Sequence, residues 1–185
     1  AWSMEQIQPI LQSLTATEWE AVQKIWDLMD EFRPMIAEKE RRLYAKEPDW
    51  VDPQPLRVTT VDGKDMELRG GYYPIVSDRY ASGDANRQAT AEAARQEMRA
   101  AFTSATMNDS FKKTRAKRSP YPLLLDMSAF WNGARDVIHD LCWHEWLINA
   151  GRMIRDSKID RAIRFRYGPD TVEQFSNWIQ ACAVG

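Results

Sequence analysis

The segment from Asp126 to Arg155 constrains the fold more than any other part of the chain. It is the longest uninterrupted amphipathic stretch, and its apolar side chains recur close to the helical period of 3.6 residues. They are Phe130, Ala134, Val137, Ile138, Leu141, Ile148 and Met153. Asp126 and Ser128 are both candidate N-caps, since their side-chain oxygens can accept unpaired amide hydrogens of a first turn. The segment predicts one long helix, about 126–155, around which the remaining elements are organised.

The first 45 residues also carry helical signals. Thr15 and Glu18 form a capping-box pattern, in which a hydroxyl and a carboxylate satisfy backbone donors reciprocally. An apolar stripe follows at steps of three and four, comprising Trp19, Val22, Trp26, Met29, Phe32 and Ile36. Pro34 lies within the stripe. Because proline removes a backbone donor and crowds the preceding turn, we predict a kink or a helix restart near Phe32.

Between residues 46 and 69 the pattern changes from helix to extended chain. Three prolines within residues 46–55 predict a loop in which the preceding helix has ended. Residues 56–69 contain two short β-rich runs separated by Asp62-Gly63, the pair typical of a two-residue hairpin turn. A single hairpin is only marginally stable by itself, so we expect it to lie against helices.

The remaining segments complete a mainly α fold. Residues 84–101 have high helix propensity but few large apolar side chains, whereas residues 103–122 lose all hydrophobic periodicity and are predicted to form a loop. After the long helix, Gly168-Pro169 ends a shorter helix, and a last apolar stripe predicts a C-terminal one. We therefore expect a multi-helix bundle with one small β-hairpin, forming a single domain over residues 1–185.

Composition narrows the class of protein. Hydrophobic residues make up 44% of the chain and charged residues 28%, as in ordinary folded domains. Cys142 and Cys182 are the only cysteines and form no disulfide framework, which indicates a reducing compartment. No run approaches the roughly 18 apolar residues that span a bilayer, so no membrane association is predicted. Neither a phosphate-binding loop nor a dinucleotide fingerprint is present, so no cofactor is expected.

The long predicted helix carries one dense group of side chains able to bind metal or move protons. The candidates are Asp136, His139, Asp140, His144 and Glu145. The two histidines of HDLCWHE are separated by about 140° around a helix, so they do not easily share one ion. We interpret the group as a buried polar cluster that hydrogen-bonds to neighbouring elements, in particular to GGYYPI (residues 70–75), and predict no metal and no catalytic residue. A metal-dependent activity at His139, Cys142 and His144 is the alternative.

Gly70, Gly71, Tyr72 and Tyr73 form a second candidate site. The glycines permit backbone conformations closed to other residues, and the tyrosines offer large half-buried rings. The run is either a tight packing corner or a binding loop, and we favour the packing corner.

Charge is unevenly distributed along the chain, although the formal net charge is only −2. Residues 1–40 hold eight acidic and three basic side chains, whereas residues 112–166 hold twelve basic and six acidic ones. Candidate nucleic-acid contacts in the loop 112–118 and the Arg-rich segment 152–166 are Lys112, Lys113, Arg115, Lys117, Arg118, Arg152 and Arg155. On one face these cations would neutralise several phosphates. The alternative is a solvated surface whose arginines pair with nearby aspartates.

Three stretches stand out together and in this order: LTATEWEAVQKIWDLMDEFRPMIAEKERRL, then LRGGYYPIVSD, then LLLDMSAFWNGARDVIHDLCWHEWLINAGRMIRD with IDRAIRFRYGPD. Together they resemble a domain of the large polyvalent proteins of tailed bacteriophages and prophages. The resemblance covers about residues 14–180, and GGYYPI and HD..WHEWL are its most unusual strings.

The resemblance implies a helical, non-enzymatic structural or interaction module within a longer virion-associated polypeptide that enters the host with phage DNA. Other modules would perform any catalysis, and no catalytic residues carry over from the family. The implied partners are other domains or subunits of a phage particle, with DNA as a further candidate, and the implied location is the virion or the bacterial host cytoplasm. We accordingly expect the chain to be a piece of a longer polypeptide.

Overall fold

The chain is mainly helical, and its described part contains one two-stranded antiparallel sheet. A computed structural model describes residues 4–50, 52–74 and 126–184, together with scattered positions between 76 and 94 and residues 123 and 124. Its helices and strands are α1 (Met4–Leu11), α2 (Ala16–Asp30), α3 (Arg33–Tyr44), β1 (Leu56–Thr59), β2 (Asp65–Leu68), α4 (Met127–Arg155), α5 (Ser157–Tyr167) and α6 (Thr171–Val184). The predicted fold class, mainly α with a small hairpin, is confirmed.

The described residues belong to two compact units. Unit 1 comprises residues 1–37 and 50–73, and unit 2 comprises residues 38–49 and 74–185. Helix α3 therefore begins in unit 1 and ends in unit 2. That the whole chain folds as a single domain stays a prediction.

Two predicted boundaries in the first half of the chain are confirmed. In the capping box, Thr15 Oγ1 accepts from the Glu18 amide at 3.3 Å, and Glu18 Oε2 accepts from the Thr15 amide at 2.7 Å. Helix α2 ends at Asp30, and a new helix begins at Arg33. Pro34 thus stands in the first turn of α3, where a backbone amide has no intrahelical acceptor to lose.

The capping box makes the stability of the N-terminus of α2 dependent on pH. Hydrogen bonds from the backbone and side chain of Thr15 hold the pKa of Glu18 below its ordinary value of 4.5. A carboxylate with a pKa lowered by folding contributes stability above its unfolded pKa, and the contribution disappears as the pH falls through the folded pKa. Glu18→Gln keeps an accepting oxygen but cannot titrate. When the pH is lowered below about 4.5, its free energy of unfolding should therefore decrease less than that of the wild-type chain.

Urea unfolding midpoints at neutral and acidic pH measure this difference. The matched control is Glu20→Gln, an exposed change on the same helix, which should follow the wild-type chain. If Glu18→Gln lost as much stability on acidification as the wild-type chain, the capping box would not be the acid-sensitive element.

The hairpin packs on α2 within unit 1. Strands β1 and β2 are antiparallel, with Leu56 opposite Leu68. Trp19 from α2 is buried together with Val58 and Leu68 from the two strands. The expectation that the hairpin lies against a helix is therefore confirmed.

The predicted two-residue turn at Asp62-Gly63 is wrong. The Gly63 amide donates to the Thr60 carbonyl at 2.9 Å, and the Thr60 amide donates to the Lys64 carbonyl at 2.9 Å, which leaves a three-residue loop. Gly63 has a φ of 75°, the left-handed conformation that follows the turn in such loops. The Asp-Gly pair marked the position of the hairpin but not its loop length, because the glycine lies after the turn's two central residues.

In unit 2, the predicted long helix is confirmed as α4. Asp126 is its N-cap, and a carboxylate oxygen accepts from the Ser128 amide at 2.7 Å. Helix α4 packs against both α5 and α6. The core between α4 and α6 consists of Leu147, Ala150, Ile179 and Ala183.

The buried face of α4 differs from the one that its apolar residues indicate. Ile138 and Met153 are 49% and 55% exposed. The buried seam instead follows steps of three and four through Phe130, Val137, Asp140, His144, Leu147 and Gly151. Gly133 also lies on this seam, and a Cβ there would lie only 2.3 Å from Cγ of Pro74. Asp140 and His144 therefore place two polar side chains at the centre of the buried face of α4.

Two predicted segments lie wholly or largely outside the described residues. The loop 103–122 is entirely outside them. Of residues 84–101 only some positions are described, and those positions are helical.

Candidate functional site

A buried polar network surrounds Asp140 in unit 2. Asp140 and His144 are one helical turn apart on α4, while Lys39 and Tyr44 come from the second half of α3. The exposed fractions of Lys39, Asp140 and His144 are 3%, 0% and 6%. Burial of this kind is costly for charged side chains, so their partners decide whether the fold tolerates them.

Asp140 is contacted from both helices. The Lys39 ammonium forms an ion pair with Asp140 Oδ2 and lies 3.4 Å from Glu40 Oε1. His144 Nδ1 lies 3.3 Å from Asp140 Oδ1, and His144 Nε2 lies 2.6 Å from the Tyr44 hydroxyl. A carboxylate beside Nδ1 favours the tautomer with its proton on that nitrogen, so Nε2 accepts the hydrogen of the Tyr44 hydroxyl.

Tyr44, His144 and Asp140 form a series of hydroxyl, imidazole and carboxylate. Hydrolytic enzymes use the same series of groups to activate a nucleophile. In this chain, however, Lys39 compensates the charge of Asp140, so the carboxylate is less able to stabilise an imidazolium. Among the described residues, no group of three His, Cys, Asp or Glu side chains is arranged to hold a metal ion. The geometry is best suited to holding the second half of α3 against the middle of α4.

The other members of the predicted polar cluster have different partners. His139 Nε2 lies 2.8 Å from the carbonyl oxygen of Cys182 on α6. Glu145 forms an ion pair of 2.5 Å with Arg42, nearer the surface. Asp136 is half-buried on the same helix. His139 and Glu145 therefore have partners other than those of Asp140 and His144, and these contacts connect α4 to α3 and α6.

The glycines of the second candidate site lie in close packing within unit 1. Gly70 has a φ of 74°, and a Cβ there would lie 2.3 Å from the carbonyl oxygen of Gln54. A Cβ at Gly71 would lie 2.3 Å from Cβ of Trp26. These close approaches favour the packing corner over the binding loop. The hydrogen-bonded connection between GGYYPI and α4 stays a prediction.

The predicted basic surface is described only in its second part. Arg152 and Arg155 are exposed in the last turn of α4, and Lys158 and Arg161 are exposed on α5. The loop 112–118, with its five predicted nucleic-acid contacts, lies outside the described residues.

Four aromatic side chains on α4 and α6 form what we term the tryptophan patch: Trp143, Trp146, Phe175 and Trp178. The rings of Trp146 and Trp178 meet edge to face, with centroids 5.1 Å apart, and Phe175 stacks on Trp178 at 5.7 Å. Trp146 and Trp178 remain 38% and 45% exposed. The patch is therefore a packed aromatic cluster with one open side.

Sequence reasoning missed Lys39, the open side of the tryptophan patch and the exposed ring of Phe165. Lys39 lies three residues after Ile36, so it continues the apolar stripe that begins at Trp19. That position was a usable signal of burial. Phe165 is 93% exposed. Its position offered a signal too, because Ile159 and Ile163 are four residues apart and mark a helix face that Phe165 does not share.

No helix in the described part of the chain has both the length and the apolar character that crossing a membrane requires. No protein-family model matches the chain, and no match was found among curated proteins or among solved structures.

Proposed function

We propose that this chain is a non-enzymatic structural or interaction domain of a large multidomain, virion-associated protein of a phage or prophage. The phage context comes from the three resembling stretches. The interaction role is supported above all by the tryptophan patch, whose partner in this proposal is another protein of the same particle.

Two features of the patch support this role. Tryptophan is the residue type most enriched at the energetic centres of protein interfaces, because it buries a large rigid surface at little cost in side-chain entropy. The edge-to-face contacts between Trp143, Trp146 and Trp178 also hold the rings in place before a partner arrives. A preorganised aromatic surface loses less entropy on binding than a mobile one.

The non-enzymatic part of the proposal is supported by the polar network. Its most reactive-looking groups, His144 and Asp140, are buried and contacted by Tyr44 and Lys39. These contacts connect two helices, so the network already has a structural role.

A binding measurement with purified particle proteins tests the interaction role. One of them should bind the immobilised chain, and the double variant Trp146→Ser with Trp178→Ser should weaken that binding by about 30-fold or more, as expected for two central aromatic residues. The matched control is Trp131→Ser, which removes another exposed tryptophan of α4 and should leave binding unchanged. Failure of every particle protein to bind, or unchanged binding by the double variant, would contradict the proposal.

Nucleic-acid binding is the second candidate function. One observation favours it: α5 and the last turn of α4 present the exposed cations Arg152, Arg155, Lys158, Arg161 and Arg166. Binding of this kind would be independent of sequence and would weaken steeply with salt, because each neutralised phosphate releases counterions. The oligonucleotide titration described below tests it.

A further inference from the structure

One face of α5 combines two cations with an isolated aromatic ring. Lys158, Arg161 and Phe165 are spaced by three and four residues, so they share a face of this helix. The ring of Phe165 is 93% exposed. Helix α5 packs against α4 and α6, and its half-buried Ile159 and Ile163 lie on a different side from Phe165. The ring is therefore not part of the core.

The two cations on this face are available to a ligand. Arg164, on another side of the helix, is engaged by Asp160 at 2.9 Å and by the Pro169 carbonyl at 2.8 Å. Lys158 and Arg161, in contrast, have no acidic partner within ion-pair distance in the part of the chain that the structure describes. They lie along the helix axis about 10 Å and about 6 Å from Phe165.

We infer that this face of α5 binds single-stranded nucleic acid, with Phe165 stacking on a base and with Lys158 and Arg161 neutralising neighbouring phosphates. The inference rests on the second candidate function and specifies its ligand. An exposed ring flanked by cations matches the two recurring contacts of single-strand binding, base stacking and phosphate neutralisation. In a duplex the base faces are covered by their neighbours, so Phe165 would have no ring to stack on.

A membrane surface fits this face less well. Helices that lie on membranes insert a continuous apolar face. On this face of α5 the ring of Phe165 is the one large apolar side chain, because Lys158, Arg161 and Ala162 surround it.

Fluorescence anisotropy with a short single strand, and with the duplex formed from it, tests the inference on the 185-residue chain. We expect the single strand to bind more tightly than the duplex. Phe165→Ala should weaken single-strand binding by about tenfold. Lys158→Ala with Arg161→Ala should reduce the slope of log affinity against log salt by about 0.7 for each phosphate that is no longer neutralised. Tyr80→Ala and Lys24→Ala, which remove an exposed ring and an exposed cation elsewhere, should change neither quantity.

Three results would overturn the inference. Equal affinity for both ligands with no effect of Phe165→Ala would leave nucleic-acid binding in place but remove the single-strand assignment. Absence of binding to either ligand at low salt would remove the second candidate function as well. Affinity for vesicles of anionic phospholipid without affinity for the oligonucleotides would assign the face to a membrane surface.

Discussion

Asp140→Ala should lower the free energy of unfolding by about 3 kcal/mol. Removing one partner of a buried ion pair typically costs about 3–5 kcal/mol, since the remaining charge stays buried without compensation. Here the remaining charge is that of Lys39, which is 3% exposed. Glu40, 3.4 Å from the ammonium, offsets part of the loss, so we expect the lower end of that range. Urea unfolding followed by tryptophan fluorescence and by circular dichroism measures the change.

Two variants separate the buried charge from other effects of the substitution. Lys39→Met combined with Asp140→Leu removes both charges and keeps most of the side-chain volume, so it should recover much of the lost stability. Glu145→Ala removes a carboxylate from the same helix, but its pair with Arg42 is exposed and should contribute at most about 1 kcal/mol. If Asp140→Ala cost no more than Glu145→Ala, the network would not be what holds α3 to α4.

Gly70→Ala should destabilise the chain by about 3 kcal/mol. An alanine at a φ of 74° adopts the left-handed conformation, which costs roughly 1–2 kcal/mol. Its Cβ would also meet the Gln54 carbonyl oxygen at 2.3 Å, a contact that only a backbone shift can relieve. Such overpacking costs about 1–3 kcal/mol more.

Gly63→Ala is a close control for this prediction. Gly63 has a φ of 75°, but nothing lies within 4 Å of a Cβ built there. Its substitution should therefore show the conformational cost alone, about 1–2 kcal/mol. The difference between the two variants in the same urea titration measures the close approach at Gly70. Equal losses would mean that unit 1 relaxes around the new methyl group, and the packing corner would then be looser than its distances indicate.

The regular elements of this chain could be predicted because their signals are local. A capping box at Thr15 and Glu18, a proline at position 34 and an N-cap at Asp126 each act within one helical turn. These signals located α2, the restart at α3 and the start of α4. The fold class followed from them.

The buried face of α4 could not be predicted from apolar periodicity, for a physical reason. The seam runs through Gly133, Asp140, His144 and Gly151, and none of these residues counts as apolar. The glycine at 133 is needed where Pro74 comes close, and the two polar residues are stable there only because α3 supplies Lys39 and Tyr44. The sequence predicts that Asp140 and His144 belong to a buried polar cluster, but it does not identify their partners. Lys39 lies 101 residues from Asp140 in the chain, and no local signal connects two residues so far apart.

The division of α3 between the two units has a consequence for synthesis on the ribosome. Unit 1 has its whole sequence once residue 73 has emerged, but residues 38–49 belong to unit 2. Lys39 can therefore form its ion pair only after Asp140 has been synthesised, 101 residues later in the chain. At about 5–20 residues per second, the delay is on the order of 5–20 s. Until Asp140 is present, burial of the Lys39 ammonium would lack its compensating carboxylate and would be costly, so this part of α3 is expected to stay in contact with water during the delay.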